Sequence, residues 1–187
     1  SGDFEVNLDL NSNSESISIE ANSNLMDMIE VSQEGTTLHL KLKTNWNYKG
    51  KMILNTNIKT AGMINDYKLS GDAILTINGA ITGPEVNMML KGDSVLTAEI
   101  NASDLDLLAK SDSVVELSGS VESVKARLSS DSILKGEDLT IAHTKIDLSG
   151  DSEATINATS SISAMASGDS VLRYSGNPDV KRSIMTG

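Results

Sequence analysis

Apolar residues in this chain fall at every second position in short runs, and from Tyr67 onward the runs keep a constant relation to one tight turn. The turn is read six times, as Gly71-Asp72-Ala73, Gly92-Asp93-Ser94, Ser111-Asp112-Ser113, Ser130-Asp131-Ser132, Gly150-Asp151-Ser152 and Gly168-Asp169-Ser170. Its aspartates lie 21, 19, 19, 20 and 18 residues apart. Three residues before the aspartate stand Leu69, Leu90, Ala109, Leu128, Leu148 and Ala166. Three after it come Leu75, Leu96, Val115, Leu134, Ala154 and Leu172, and two further on Ile77, Ala98, Leu117, Gly136, Ile156 and Tyr174. Side chains alternate across a strand, so a shared parity on both sides of the turn defines an inside and an outside. A period near 20 is too short for a helical hairpin repeat and suits one coil of a β-solenoid, which buries its apolar face only by stacking on its neighbours. Each column is predicted to be a ladder down the interior, with large and small residues trading places so that a core of constant cross-section fills without voids.

The turn residues agree with this reading. Glycine permits positive φ, and Asp or Ser hydrogen-bonds the backbone of a tight corner. Stacked at about 4.8 Å per coil, the aspartates are predicted to face solvent or share backbone N–H donors, because burying unpaired carboxylates costs several kcal/mol each. A cation-binding column is the alternative. Against it, the nonapeptide repeat of calcium-binding β-rolls has about half this spacing and more glycine.

Before Tyr67 the period is lost while alternation persists. Phe4, Val6, Leu8 and Leu10 interleave with polar residues, as do Leu38, Leu40 and Leu42, and both runs read as half-buried strands. Ile17-Ser18-Ile19 and Met52-Ile53-Leu54 are further strands, with Asn11–Ser16, Gln33–Thr36 and Asn45–Gly50 as connections. Asn24 to Ile29 reads as a single helical turn capped by Asn22 or Asn24, with Leu25, Met28 and Ile29 on one face. A solenoid end needs a cap, so this segment either covers the first coil or forms irregular first coils. Ser1-Gly2-Asp3 repeats the turn signature and favours the second option. The expected architecture is one all-β domain over residues 1–187, irregular over 1–66 and regular over 67–187. At the C-terminus, Met185-Thr186-Gly187 reads as the start of one more turn.

Composition narrows the function classes. The 187 residues suffice for a substantial core, and the absence of cysteine excludes disulfide stapling and thiolate metal sites. The net charge of −11, with no basic stripe, makes nucleic acid and anionic membrane surfaces poor partners. No apolar run is long enough to span a bilayer as a helix.

Candidate chemistry is sparse. His39 and His143 are the only histidines, and no HExxH, GxSxG or phosphate-cradling glycine loop occurs. Both histidines read as surface residues. Trp46 and Tyr48, among Asn45, Asn47 and Lys49, are the one aromatic cluster in a connecting segment and the candidate glycan-binding residues, since aromatic faces beside amides hold sugar rings. The alternative is a loop whose tryptophan packs back on the cap. Glycoside hydrolysis needs two carboxylates about 5 to 9.5 Å apart, a spacing that adjacent turn aspartates such as Asp93 and Asp112 meet simply through coil stacking. The long loops that would wall a cleft are missing. No catalytic residue, metal site or cofactor is therefore assigned. Asp93-Ser94-Val95, Asp112-Ser113-Val114, Asp131-Ser132-Ile133 and Asp169-Ser170-Val171 resemble the Asp-Ser-aliphatic acceptor of a bacterial periplasmic O-glycosylation system, although a turn followed by a core strand accounts for the same triplets.

Taken together, Phe4 to Leu10, Ile17-Ser18-Ile19-Glu20-Ala21-Asn22 with Asn24-Leu25, Ile29-Glu30-Val31 leading to Gly35 and Leu38 to Lys43, Tyr67-Lys68-Leu69-Ser70-Gly71-Asp72, the recurring Asp turns and Tyr174-Ser175-Gly176-Asn177-Pro178 resemble the putative auto-transporter adhesin head GIN domain family of Gram-negative bacteria. Members typically carry fuller Ser-Gly-Ser-Gly turns where this chain has Asp-Ser. The resemblance implies a right-handed, single-stranded parallel β-helix that is exported, to the periplasm, outer membrane or cell surface, and often tethered there, here by a lipid anchor on a segment preceding Ser1. It implies no catalytic or binding residues. The function it supports is a non-enzymatic, adhesin-like binding or scaffold module of the envelope with an extracellular or envelope ligand, glycan among the classes. A carbohydrate-active enzyme on the same fold and a self-assembling structural solenoid are the alternatives.

Overall fold

A computed structural model describes residues 2–43 and 53–186. After the predicted turns run four long strands, β8 (Val95–Lys110), β9 (Val114–Ser129), β10 (Ile133–Ser149) and β11 (Glu153–Ser167), preceded by β6 (Asp66–Ser70) and β7 (Ile74–Lys91) and followed by β12 (Val171–Ser175) and β13 (Asp179–Thr186). All pair in parallel with their neighbours, in a solenoid of about 6 turns with about 19 residues per coil. Each coil is one arm, a bend, a second arm and the turn. The bend breaks the register between Thr76 and Ala80 and again between Lys135 and Asp138. At Gly119 the bend depends on the missing side chain: φ is +106° and an added Cβ would lie 2.3 Å from the carbonyl oxygen of Ile100.

The inward columns are those read from the sequence. Leu90, Leu96, Ala109, Val115 and Ala154 have no exposed surface, and both arms contribute to one continuous core. Tyr174 departs from its column and is 51% exposed. It lies in register with the buried Ile156, but β12 is the last strand of its arm, so no further described coil covers the ring.

The turn continues inward past the aspartate. Ser94, Ser113, Ser132 and Ser152 are fully buried, forming a column with Ala73. The Ser132 hydroxyl accepts from the Ser129 N–H at 3.0 Å, whereas those of Ser94 and Ser113 have no partner among the described residues. Outside, ion pairs link successive coils: Arg127 and Lys125 to Asp106, Lys135 to Glu116, and Arg173 to Glu153.

The first third enters the same stack out of chain order. Gly2-Asp3-Phe4 is itself a rung of the turn ladder: the Gly2 N–H donates to the Ser70 carbonyl at 3.0 Å and the Ile74 N–H to the Phe4 carbonyl at 2.8 Å. From it β1 (Glu5–Asp9) runs parallel to β7 on one side and to β5 (Leu54–Lys59) on the other. The irregular-coil option is therefore correct for Gly2 to Asp9. Between β1 and β5 the chain makes β2 (Ser16–Ala21), which closes this arm antiparallel to β5, and a separate hairpin of β3 (Ile29–Glu34) and β4 (Thr37–Leu42). The predicted helical turn is a 3₁₀ turn over Met26–Met28, without a side-chain cap. Asn22 instead accepts the Ile53 N–H on its side-chain oxygen at 2.8 Å. Leu25 is buried with Phe4 and Leu54 in a second, smaller core. Of the strand expected at Met52 to Leu54, Met52 lies outside the described residues and Leu54 is the first residue of β5.

Candidate functional site

The sequence candidates do not converge. Trp46 and Tyr48 lie outside the described residues. His39 is exposed on β4, and His143, exposed on β10, has Nδ1 2.9 Å from the Ser161 hydroxyl. The turn aspartates from Asp72 to Asp169 are exposed in a row along one corner. Among the described residues no group of three or more His, Cys, Asp or Glu side chains is placed to hold a metal ion. At the first rung, burial, and then the neighbouring Asp72 carboxylate, raise the pKa of Asp3.

Three of the four Asp-Ser-aliphatic triplets point the opposite way from a modification site, while Ser170 of the fourth is partly exposed. Alternation from the inward Leu96, Val115 and Leu134 turns the serine two residues earlier into the core and leaves Val95, Val114 and Ile133 on the outer face. The hydroxyls of Ser94, Ser113 and Ser132 have no surface for a glycosylating enzyme to reach in the folded chain. In these three the triplet is a turn followed by a strand, with the serine as the core residue and the aliphatic one outside.

The arms are unequal at the N-terminal end of the solenoid, and this inequality opens a cleft. The first arm carries three further strands below β7, namely β1, β5 and the antiparallel β2, whereas among the described residues the second arm carries only β6. Among the described residues no strand lies on the edge of β6 away from β7. A cleft of about 520 Å³ occupies that space, lined by Phe4, Leu8, Leu69 and Leu75 from the coils, by Leu38 from the hairpin and by Met63 ahead of β6. Its size is that of a ligand site. Leu38 and Met63 are 38% and 76% exposed, which sets this end apart from the polar, ion-paired coil surface. The Tyr67 hydroxyl donates to the Ile64 carbonyl at 2.9 Å, tying the entry to β6, and burial raises the pKa of its phenol. A depression of about 610 Å³ over Leu108, Arg127 and Met165 is larger, but it is an open trough between side chains of the outer sheet face.

Sequence reasoning missed the cleft because its walls come from strands that are not consecutive. The available signal was a turn signature at Gly2-Asp3 followed by loss of period until Tyr67, which marks a long insertion within the first coil.

A family model described as "Putative auto-transporter adhesin, head GIN domain" matches residues 1–178. No curated protein matches the chain. Among solved structures, a putative adhesin of Bacteroides fragilis superposes with a TM-score of 0.85 at 17% identity, over 100% of this chain and 87% of that one. A putative adhesin of Parabacteroides merdae gives 0.73 at 18% identity, over 100% and 87%. A protein of Parabacteroides distasonis described as a putative lipid binding protein gives 0.72 at 18% identity, over 98% and 86%. At these identities the structures speak for the fold. Among the described residues no helix is long and apolar enough to cross a membrane.

Proposed function

The chain belongs to the auto-transporter adhesin head GIN domain family, and on that premise we propose that it is a non-enzymatic, extracytoplasmic binding module of the cell envelope whose ligand enters the cleft beside β6. The observation that carries this reading is that Leu38, Met63 and Ile74, all exposed, line one cleft together with the buried Phe4, Leu8 and Leu69, at the end of a solenoid whose flanks carry ion pairs between coils. The coils act as a rigid spacer that holds that end at a fixed place, since every rung is bonded to the next along both arms. The adhesin and lipid-binding descriptions of the structural neighbours support a ligand-binding role.

The test uses two exposed cleft residues. With the purified chain on beads, Leu38→Asp together with Met63→Asp is expected to reduce retention on surfaces coated with envelope fragments or extracellular-matrix glycoprotein several-fold, with an unchanged melting temperature. Unaltered retention, release of reducing sugar from acidic polysaccharide, or recovery of the native protein in the cytosolic fraction of its cells would each overturn the reading.

A further inference from the structure

We infer that a second surface, an apolar stripe on the outer face of the first arm, docks a cationic amphipathic helix lying along the solenoid axis. The stripe does not depend on the cleft, and only Ile74 borders both.

Register places Ile74, Val95, Val114 and Ile133 over one another on successive rungs. Their neighbours Leu75, Leu96, Val115 and Leu134 point into the core, so these four point out. Ile74 is exposed and the other three are half-buried, and each has a paired strand on both sides. The column therefore does not owe its exposure to an end of the solenoid. The next outward position along the same strands is polar at every rung, as Thr76, Thr97, Glu116 and Lys135. One rung on, Glu153 takes the column's place, paired with Arg173, before Val171 resumes it.

Charge lies on one side of the stripe only. Two residues before it stand the exposed turn aspartates, and from Asp72 to Asp169 none takes part in an ion pair among the described residues. Beyond them the next outward column holds lysine at two rungs, Lys91 and Lys110, and serine at the other four, so six carboxylates face two bases. On the opposite side Glu116 and Lys135 neutralise each other. A complementary partner is thus apolar along its centre and basic along one flank. A second copy of this chain is not, since it brings a further charge of −11 and its own aspartates.

Spacing selects the conformation of that partner. Rungs repeat at about 4.8 Å. Residues on one face recur about every 5.4 Å along an α-helix, about every 6.7 Å along a strand and about every 9.3 Å along polyproline II. Over the three steps from Ile74 to Ile133 a helix gains about 2 Å on the rungs, which side-chain rotation absorbs, whereas a strand gains about 6 Å and slips by more than a rung. One apolar and one basic side chain per turn is the pattern of an amphipathic helix.

The probe is the labelled, end-capped peptide Leu-Lys-Gln-Ala-Leu-Lys-Ala-Leu-Lys-Gln-Ala-Leu-Lys-Gln, which carries leucine once per turn and lysine one residue after each. Its affinity for the full chain is measured by anisotropy in about 0.15 M salt, beside a peptide of the same composition whose leucines and lysines are scattered around the helix. The first is expected to bind about tenfold more tightly and to gain helical circular dichroism on binding. Val114→Thr with Ile133→Thr, which keeps the β-branched shape, should lose about tenfold, and Asp112→Asn with Asp131→Asn several-fold, both at an unchanged melting temperature. Equal affinity of the two peptides, no binding of the ordered one, no gain of helix, or an affinity that either pair of substitutions leaves unmoved would each overturn the inference. So would a dimer of the chain alone that the threonine variant dissociates, which assigns the stripe to a second copy. Retention through Leu38 and Met63 is tested separately and survives any of these outcomes.

Discussion

Residues 16–42 and the coils from Tyr67 onward use the same alternation of apolar and polar residues to opposite effect. In β8 the alternate residues Leu96, Ile100 and Leu107 have no exposed surface, because each lies between a rung below and a rung above and faces the second arm. In β4 the equally regular Leu38, Leu40 and Leu42 form a strand, yet Leu38 is 38% exposed. The β3–β4 hairpin is a sheet of its own, and only its base, through Ile29 and Leu42, packs against Phe4, Leu25 and Leu54. From Asn11 to Lys43, Leu25 is the one fully buried residue. Alternation dictates which side chains share a face. Whether that face meets a partner depends on the stacking of the whole chain.

The contrast is broken most severely at glycine. Gly119→Ala places a methyl against the Ile100 carbonyl at φ +106° and is expected to cost ~3 kcal/mol or more, whereas Gly35→Ala, at φ +59° with nothing within 4 Å, should cost about 1 kcal/mol. Urea unfolding of the two variants compares them directly, and equal losses would mean that the bend is not held by its neighbouring rung. Next in size are the leucines. Leu107→Ala should lose about 3 kcal/mol to transfer and cavity terms, while Leu38→Ala should stay within about 1 kcal/mol because its side chain is half in water already. A hairpin leucine as costly as a coil leucine would show that β4 is covered in solution.

The smallest effect lies at the junction of the two regions. Asp3 has a raised folded-state pKa, so the folded chain holds its proton more tightly than the unfolded one. Stability from this group is greatest below the ordinary carboxylate range, declines as pH rises through the window up to the raised value, and remains lowered at neutral pH. Asp3→Asn is therefore expected to raise the melting temperature slightly at pH 7, by the equivalent of less than about 0.5 kcal/mol for so exposed a group, and to change nothing at pH 3. A variant less stable at pH 7 would show that the carboxylate makes a favourable bond in the turn.

The coil columns, the turns, the isolated helical turn and the place of Gly2-Asp3 in the ladder were all legible in the sequence, since each is a local pattern repeated with fixed spacing. The exposure of Tyr174 was not, because parity says nothing of which rung is last. Neither was the burial of Ser94, Ser113 and Ser132, which look like surface turn residues until their parity is counted from the leucine that follows.

What the amino-acid order determined alone is therefore the coil: its period, its inward columns and the glycines or serines at its corners, because neighbours in sequence are neighbours in a strand. What only the tertiary structure decided is the N-terminal end. There β1 slides between β5 and β7, β6 is the last strand of the second arm among the described residues, and a cleft opens among Phe4, Leu38, Met63 and Leu69. The physical reason is that strand pairing outside the repeat joins residues some fifty positions apart, such as Glu5 with Asn55, and no local pattern encodes which edge such a strand will choose.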